Sequence, residues 1–410
     1  MADAREFDLI VMGATGFTGR LVAEHLLARH GVGGTLKWAL AGRSQEKLER
    51  VRAGLGGAAA DLPLILADSH DRASLNSLVR KSRVICTTVG PYALHGSDLV
   101  AACCEHGTDY CDLSGEVPWM RKMIDQHAAA AEKSGARIVH CCGFDSIPSD
   151  LGVWFLQKSA NEKFGKPMER VRLRVKAAKG GLSGGTFASM LNIVAESRRD
   201  EETAKVLKNP FALCPPDARK GPRQPNVGGP EFDAAIGSWM APFIMAAINT
   251  RVVHRANALQ DFAYGKGFRY DEAVLTGRGF GGRAKATMVS LGLGAFALGA
   301  AMGPTRALLQ KIVLPKPGEG PSTEKRKAGF FNIIVEGRTS EGETLRARIK
   351  GDRDPGYGST SKMIGEAAVC LARDIGDDIA GGFWTPATAL DGKLLDRLAA
   401  HAGVTFEIEG

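Results

Sequence analysis

The stretch Leu9-Ile10-Val11-Met12-Gly13-Ala14-Thr15-Gly16-Phe17-Thr18-Gly19-Arg20 constrains this chain more than any other. Apolar residues run directly into three glycines spaced by three, and Leu21, Val22, His25, Leu26 and Arg29 follow at helical spacing. A buried strand, a tight turn and a helix N-terminus are the parts of a dinucleotide-binding motif. Glycine lets backbone N–H groups approach a pyrophosphate, and the helix N-terminus favours its negative charge. The residues expected against the nucleotide are Gly13, Thr15, Gly16, Phe17, Thr18 and Gly19. The spacing is Gly-x-x-Gly-x-x-Gly rather than Gly-x-Gly-x-x-Gly, so the flanking strand and helix carry the argument.

The chain continues in the same rhythm. Leu36–Leu40 reads as a second strand that exits through Ala41-Gly42-Arg43-Ser44. An acidic side chain at this exit would bind the ribose 2′-hydroxyl of NAD, and none is present. Arg43 can meet a 2′-phosphate and stack on adenine, and Ser44 adds a hydroxyl, so NADP(H) is the expected cofactor. Leu62–Ala67 is a third strand, and Asp68 either touches adenine or is a surface turn residue. Val84–Val89 is a fourth strand, whose exit Thr88-Val89-Gly90-Pro91 is expected to line the nicotinamide ribose, with Tyr92 and His95 facing the reaction space. Tyr110–Ser114 and Ala136–Gly143 add further strands, with helical patterns between them. Strands alternating with helices argue an α/β fold with a doubly wound parallel sheet of Rossmann type, over residues 1–150.

The strand ending at Gly143 leads into Phe144-Asp145-Ser146-Ile147-Pro148-Ser149-Asp150. Two readings stand. Ser146 or Ser149 caps a helix that has Pro148 in its first turn, or Asp145 and Ser146 sit beside the nicotinamide. Residues 151–353 read as a second, α+β domain containing an antiparallel sheet. Val171–Ala178 alternates like a half-exposed strand, and Phe330–Glu336 with Thr344–Lys350 reads as a hairpin. Gly180–Thr186 is a second Gly-rich turn, Asn209–Pro230 an irregular segment or lid, and Pro315–Pro321 a linker. Ile236–Ile248 and Ala286–Gly303 are strongly apolar; the latter is either a buried helix or a lipid-facing surface. Residues 354–410 form a C-terminal helical segment, with a helix from Lys362 to Ile375 packing back onto the nucleotide domain.

Composition excludes several classes. The net charge of +8 over 410 residues is scattered, with no basic run that would mark a nucleic-acid partner. The eight cysteines show no Cys-x-x-Cys spacing, which points to buried thiols in a reducing cytoplasm and to no metal site. The N-terminus does not read as a signal peptide. None of the five tyrosines has Lys four residues on, so the Tyr-x-x-x-Lys proton donor of short-chain reductases is out. Tyr92, His95 and Asp145 remain as candidate proton donors, each with an alternative role in packing or capping.

Several of these motifs together resemble the saccharopine dehydrogenase-like oxidoreductases. They are Gly13–Gly19, Ala41-Gly42-Arg43, Val89–Tyr92, Gly143–Asp150, Ser183-Gly184-Gly185-Thr186 and Tyr357-Gly358-Ser359-Thr360-Ser361-Lys362-Met363. The pattern is most similar to the branch that holds the mycobacterial trans-acting enoyl reductases and the animal saccharopine dehydrogenase-like protein. The resemblance implies a Rossmann domain followed by an α+β domain. It also implies NADPH-dependent reduction of an α,β-unsaturated acyl chain held on a polyketide synthase. The animal relative implies association with membranes or lipid droplets.

Three functions follow as expectations. The first is NADPH-dependent reduction of a lipid-like enoyl or carbonyl substrate, free or carrier-bound, with a polyketide or fatty-acid synthase as partner. The second is a saccharopine-type amino-acid dehydrogenase, which the apolar segments make less attractive. The third is a non-catalytic, membrane-associated nucleotide-binding protein. The expected location is cytoplasmic, with peripheral membrane or lipid contact open, and an exposed sheet edge suggests a homodimer.

Overall fold

A computed structural model describes residues 5–181, 183–306, 319–376 and 378–409. The chain divides into two compact units. One comprises Met1–Phe144, Pro315–Ser322 and Tyr357–Ala402, and the other Asp145–Leu314, Thr323–Gly356 and Gly403–Gly410.

The first unit is built on a seven-stranded sheet. The order across it is Gly382–Trp384, Arg137–Val139, Asp109–Cys111, Ser82–Thr87, Phe7–Met12, Trp38–Gly42 and Leu64–Leu66. Every pairing is parallel. Parallel strands covered on both faces read as continuous apolar runs, and Leu9, Ile10 and Val11 are fully buried. The strand order reverses between Phe7–Met12 and Ser82–Thr87, and this is where a doubly wound sheet opens a crevice at its C-terminal edge. The helix Thr360–Arg373 belongs to the same unit and buries Met363, Ile364, Ala367, Ala368 and Leu371. It presents Glu366, fully buried, to His25 at 2.8 Å and Arg397 at 3.1 Å.

The second unit carries its own seven-stranded sheet, in the order Val404–Glu409, Thr344–Gly351, Phe330–Arg338, Arg170–Lys179, Arg269–Gly277, Ser238–Pro242 and Glu231–Asp233. The expected hairpin is present, and Phe330–Arg338 pairs antiparallel with both Thr344–Gly351 and Arg170–Lys179. The sheet is mixed rather than antiparallel throughout, because Arg269–Gly277 lies parallel to Arg170–Lys179. A parallel neighbour needs a crossover, and the intervening chain holds the helices Gly184–Ser197, Glu201–Lys208 and Ala246–Leu259. The helix Ile147–Phe164 lies on the sheet where Gly152 lets it approach Ile349 and Val335; a Cβ there would come within 2.3 Å of Ile349 Cδ1.

Three segments of this unit that the sequence left open take definite form. Ile236–Ile248 splits into the strand Ser238–Pro242 and the start of the helix Ala246–Leu259. Asn209–Pro230 is irregular but anchored: Ala212, Leu213 and Cys214 are buried, and Gln224 donates to Phe268 O at 3.1 Å. The apolar stretch from Ala286 forms the helix Gly279–Ala301, most of which is exposed. Leu182 of the second Gly-rich turn, and most of the Pro315–Pro321 linker, lie outside the described residues.

Beneath this sheet Arg174, buried, bridges Asp233 at 2.7 Å and Asp271 at 2.8 Å. Replacing one member of a buried ion network leaves its partners charged and dry, at about 3–5 kcal/mol. Arg174→Met is therefore expected to lower the urea midpoint sharply, because Arg172 and Arg170 only partly replace it. A midpoint within error of wild type would show that the two aspartates do not need it.

Candidate functional site

The first glycine turn has the geometry its spacing requires. Gly13 sits at φ +87°, and a Cβ on it would press on Val89 Cγ2 at 2.7 Å. A Cβ on Gly19 would fall 2.3 Å from Gly13 O. Gly13 N donates to Ala41 O and Gly16 N donates back to Gly13 O, each at 3.0 Å. The turn is thus folded over the ends of two neighbouring strands. Gly16 is the N-cap of the helix Phe17–His30, with no side chain capping it. Phe17, in the first helical turn, packs edge-on against Tyr357 at 4.9 Å.

Beside this turn lies a cavity of about 530 Å³. Thr15, Arg20, Arg43, Ser44, Lys47 and Arg50 line it, together with one carboxylate, Glu24. Arg43 and Ser44 were legible as the strand exit. Arg20, Lys47 and Arg50 were missed, although 43, 47 and 50 follow helical spacing from that exit and so share a face. Ser44 caps the helix Gln45–Gly54 by accepting from Lys47 N at 3.4 Å, and Arg50 pairs with Glu46 at 3.0 Å. Four cations around one cavity suit a dianionic phosphate.

Asp68 and His95 are brought together through His70. Asp68 Oδ1 accepts from His70 N at 3.0 Å, and His70 Nε2 lies 2.9 Å from His95 Nδ1. Desolvation lowers the His95 pKa, and the positive fields of His70 and Arg43 add to it. His95 is therefore neutral at physiological pH and shares the field of Arg43.

Thr88, Val89, Gly90 and Pro91 follow the strand Ser82–Thr87, and the first two lie beside Gly13: Thr88 N donates to Met12 O at 3.0 Å, and Thr88 Oγ1 to Gly13 O at 3.4 Å. Tyr92 is buried, and its hydroxyl is engaged on both sides. It donates to Thr87 O at 3.2 Å and accepts from Leu113 N at 3.0 Å. Burial pushes its pKa well up. Glu116, also buried, accepts from Tyr92 N at 2.7 Å and Ala93 N at 2.9 Å. Asp112 does the same for the next exits: its carboxylate accepts from Ser114 N, Cys141 N, Tyr110 Oη and a His140 ring nitrogen, all within 3.1 Å. Glu116, Asp112 and His140 were not singled out from sequence. Their partners are up to 29 residues away, so no local pattern signals them. Together they stitch the sheet's C-terminal exits into one edge.

Asp145 opens the second unit, immediately after Phe144, whose N–H binds Thr360 Oγ1 at 3.1 Å in the first. Desolvation raises its pKa to about 7. Ser146 donates to Asn249 Oδ1 at 3.0 Å, and Asn249 Nδ2 donates to Glu272 Oε2 at 2.9 Å. Tyr270 donates to Glu272 Oε1 at 2.6 Å. Glu272 is also raised to about 7, by burial first, with Tyr270, Ser149 and Asn249 pulling the other way. Ser146 also stands at the N-cap of Ile147–Phe164, but its side chain makes no cap bond.

These two carboxyls make stability depend on pH. In the folded protein each holds a proton that the unfolded chain releases at ordinary carboxylate pKa values. Stability therefore falls as pH rises from there to about 7. The thermal midpoint of wild type is expected to fall between pH 5 and 8, and that of Glu272→Gln to fall less steeply. Parallel curves would show that Glu272 is not the group responsible.

A doubly wound sheet, a glycine turn at its switch point and a cationic cavity beside it define a dinucleotide-dependent oxidoreductase. Residues 9–139 match the saccharopine dehydrogenase NADP binding domain. A candidate trans-acting enoyl reductase of Mycobacterium tuberculosis is 42% identical, over 99% of this chain and 98% of its own. The trans-acting enoyl reductase of Mycobacterium ulcerans is 38% identical over 96% of each chain. Among solved structures, apo saccharopine dehydrogenase (L-Glu forming) from Saccharomyces cerevisiae shares the fold at a TM-score of 0.52 and 10% identity. That match covers 98% of this chain and 99% of the yeast one. The chain belongs to the saccharopine dehydrogenase-like oxidoreductases, in the branch of the trans-acting enoyl reductases.

Proposed function

We propose that this protein is an NADPH-dependent reductase of a lipid-like α,β-unsaturated acyl substrate, free or carried by a synthase. The observation that carries the cofactor choice is the cavity of Arg20, Arg43, Lys47 and Arg50 beside the glycine turn. The glycine turn suits a pyrophosphate: Gly13 and Gly19 let the strand exit and the helix close tightly on one another, since a Cβ on either would strike Val89 or Gly13 O, and no side chain caps the helix N-terminus at Gly16. Gly13, Thr15, Gly16, Phe17, Thr18 and Gly19 would hold the pyrophosphate, and Arg43 and Ser44 the adenosine phosphate. Asp68 would border the adenine. Thr88, Val89, Gly90 and Pro91 would line the nicotinamide ribose.

When bound, NADPH supplies the hydride, which goes to the β-carbon of the enoyl group; a proton goes to the α-carbon, giving the saturated acyl chain and NADP⁺. The chain's own part is orientation and that proton. Asp145 is the proposed donor. Its pKa of about 7 keeps it substantially protonated at neutral pH, and it directly follows a residue fixed at the sheet's C-terminal edge. Tyr92 is not assigned this role, because its hydroxyl already bridges Thr87 and Leu113. His95 is not assigned it either, being neutral and beside the Arg43 region.

The names of the mycobacterial relatives favour an enoyl substrate over saccharopine. The test is NADPH oxidation with enoyl thioesters of graded chain length, on coenzyme A and on an acyl carrier domain, against saccharopine with NADP⁺. Turnover rising with chain length supports the proposal. Turnover of saccharopine alone overturns it.

A further inference from the structure

We propose that the helix Gly279–Ala301, with its neighbour Gly184–Ser197, is a docking surface for anionic lipid bilayers, lying in the membrane interface rather than across it. Along its 23 residues only Gly282, Ala286 and Ala300 are buried. Phe280 is 87% exposed and Leu298 70%, and Met288, Leu291 and Met302 are also exposed. Isolated apolar side chains on a surface are ordinary, but a continuous run of this length is not. It marks a surface that meets something apolar.

Charge identifies the occupant. Between Glu272 and Glu319 the sequence has no acidic residue, whereas Arg278, Arg283, Lys285 and Arg306 flank the apolar run. Arg198 adds a cation at the far end, where its guanidinium donates to Ala301 O at 2.8 Å. Apolar side chains between basic collars match an acyl layer beneath anionic headgroups. A second copy of this chain is a poorer occupant. Pairing two such helices side by side, in either direction, sets cation against cation with no carboxylate in the segment to answer them.

Length alone would allow a span, since 23 residues rise roughly 34 Å. The attachments argue otherwise. At its N-terminal end, Thr276 Oγ1 donates to Gly282 O at 2.9 Å, and Gly282 approaches Gly277 so closely that a Cβ would lie 2.2 Å from Gly277 O. Toward the other end, Phe296 packs edge-on against Phe187 at 5.8 Å, and Arg198 holds Ala301. A helix fastened to its own domain at both ends can lie on a bilayer but cannot cross it without releasing those contacts.

Flotation of the full-length protein decides this, on phosphatidylcholine vesicles with and without about 30 mol% phosphatidylglycerol, at low and high salt. Wild type is expected to float with the anionic vesicles at low salt. Binding should be at least about tenfold weaker on neutral vesicles or at high salt. Arg278→Glu with Lys285→Glu, and separately Leu291→Ser with Leu298→Ser, should each abolish flotation while NADPH fluorescence titration stays normal. Arg283 is left in place because it lies over the Trp239 ring at 5.4 Å. Equal binding to neutral and anionic vesicles overturns the proposal, as does no flotation under any condition or a stable dimer that protects this helix from exchange. The wild-type comparison is decisive even if a variant misfolds.

Discussion

Asp145→Asn is expected to leave NADPH binding intact and to lower kcat for enoyl reduction by about 10²–10⁴-fold, the usual worth of a positioned acid. The amide keeps the size of the carboxyl and removes its proton. Because desolvation holds Asp145 at about 7, its acid form is lost as pH rises through neutrality, and kcat of wild type should fall above that point. In Asp145→Asn the residual rate should no longer show that limb. Unchanged kcat with an unchanged pH profile would leave the Gly143–Asp150 motif a purely structural device that leads into Ile147–Phe164 and ties Ser146 to Asn249.

The second large effect concerns cofactor choice. Arg43→Asp is expected to weaken NADPH by about a hundredfold, near 3 kcal/mol for losing one close charge pair and adding a like charge. The same substitution should improve NADH, since a carboxylate at this strand exit can take the ribose 2′-hydroxyl. Lys47 and Arg50 border the same cavity, so Lys47→Ala should weaken NADPH as well, by less, and leave NADH unaffected. An unchanged preference in Arg43→Asp would place the discriminating contact elsewhere.

The nucleotide-binding half was legible because its signals are local. The run Leu9–Met12, the glycines at 13, 16 and 19 and the helical pattern after them lie within about two dozen residues, and each fixes backbone geometry directly. Arg43 was legible for the same reason, as the first charged side chain after a buried strand. What escaped reading depends on long-range pairing. Gly382–Trp384 is only three residues long, and it completes the parallel sheet by lying beside Arg137–Val139. Asp112 gathers groups from two strands and their exits, and Glu272 meets Asn249 from another element; no spacing in the sequence announces either. The parallel pairing of Arg269–Gly277 with Arg170–Lys179 escaped likewise, since alternation marks a strand but not its neighbour. For the segment from Ala286, composition left burial and exposure both open, and only the packing around Gly279–Ala301 decided between them.

The most direct measurement is a single turnover with NADPH deuterated at the transferring C4 position and a long-chain enoyl thioester, followed by mass spectrometry of the product. The account predicts a saturated acyl chain carrying one deuterium at its β-carbon. No deuterium in the acyl chain, with label entering saccharopine when its imine precursor replaces the thioester, would contradict it.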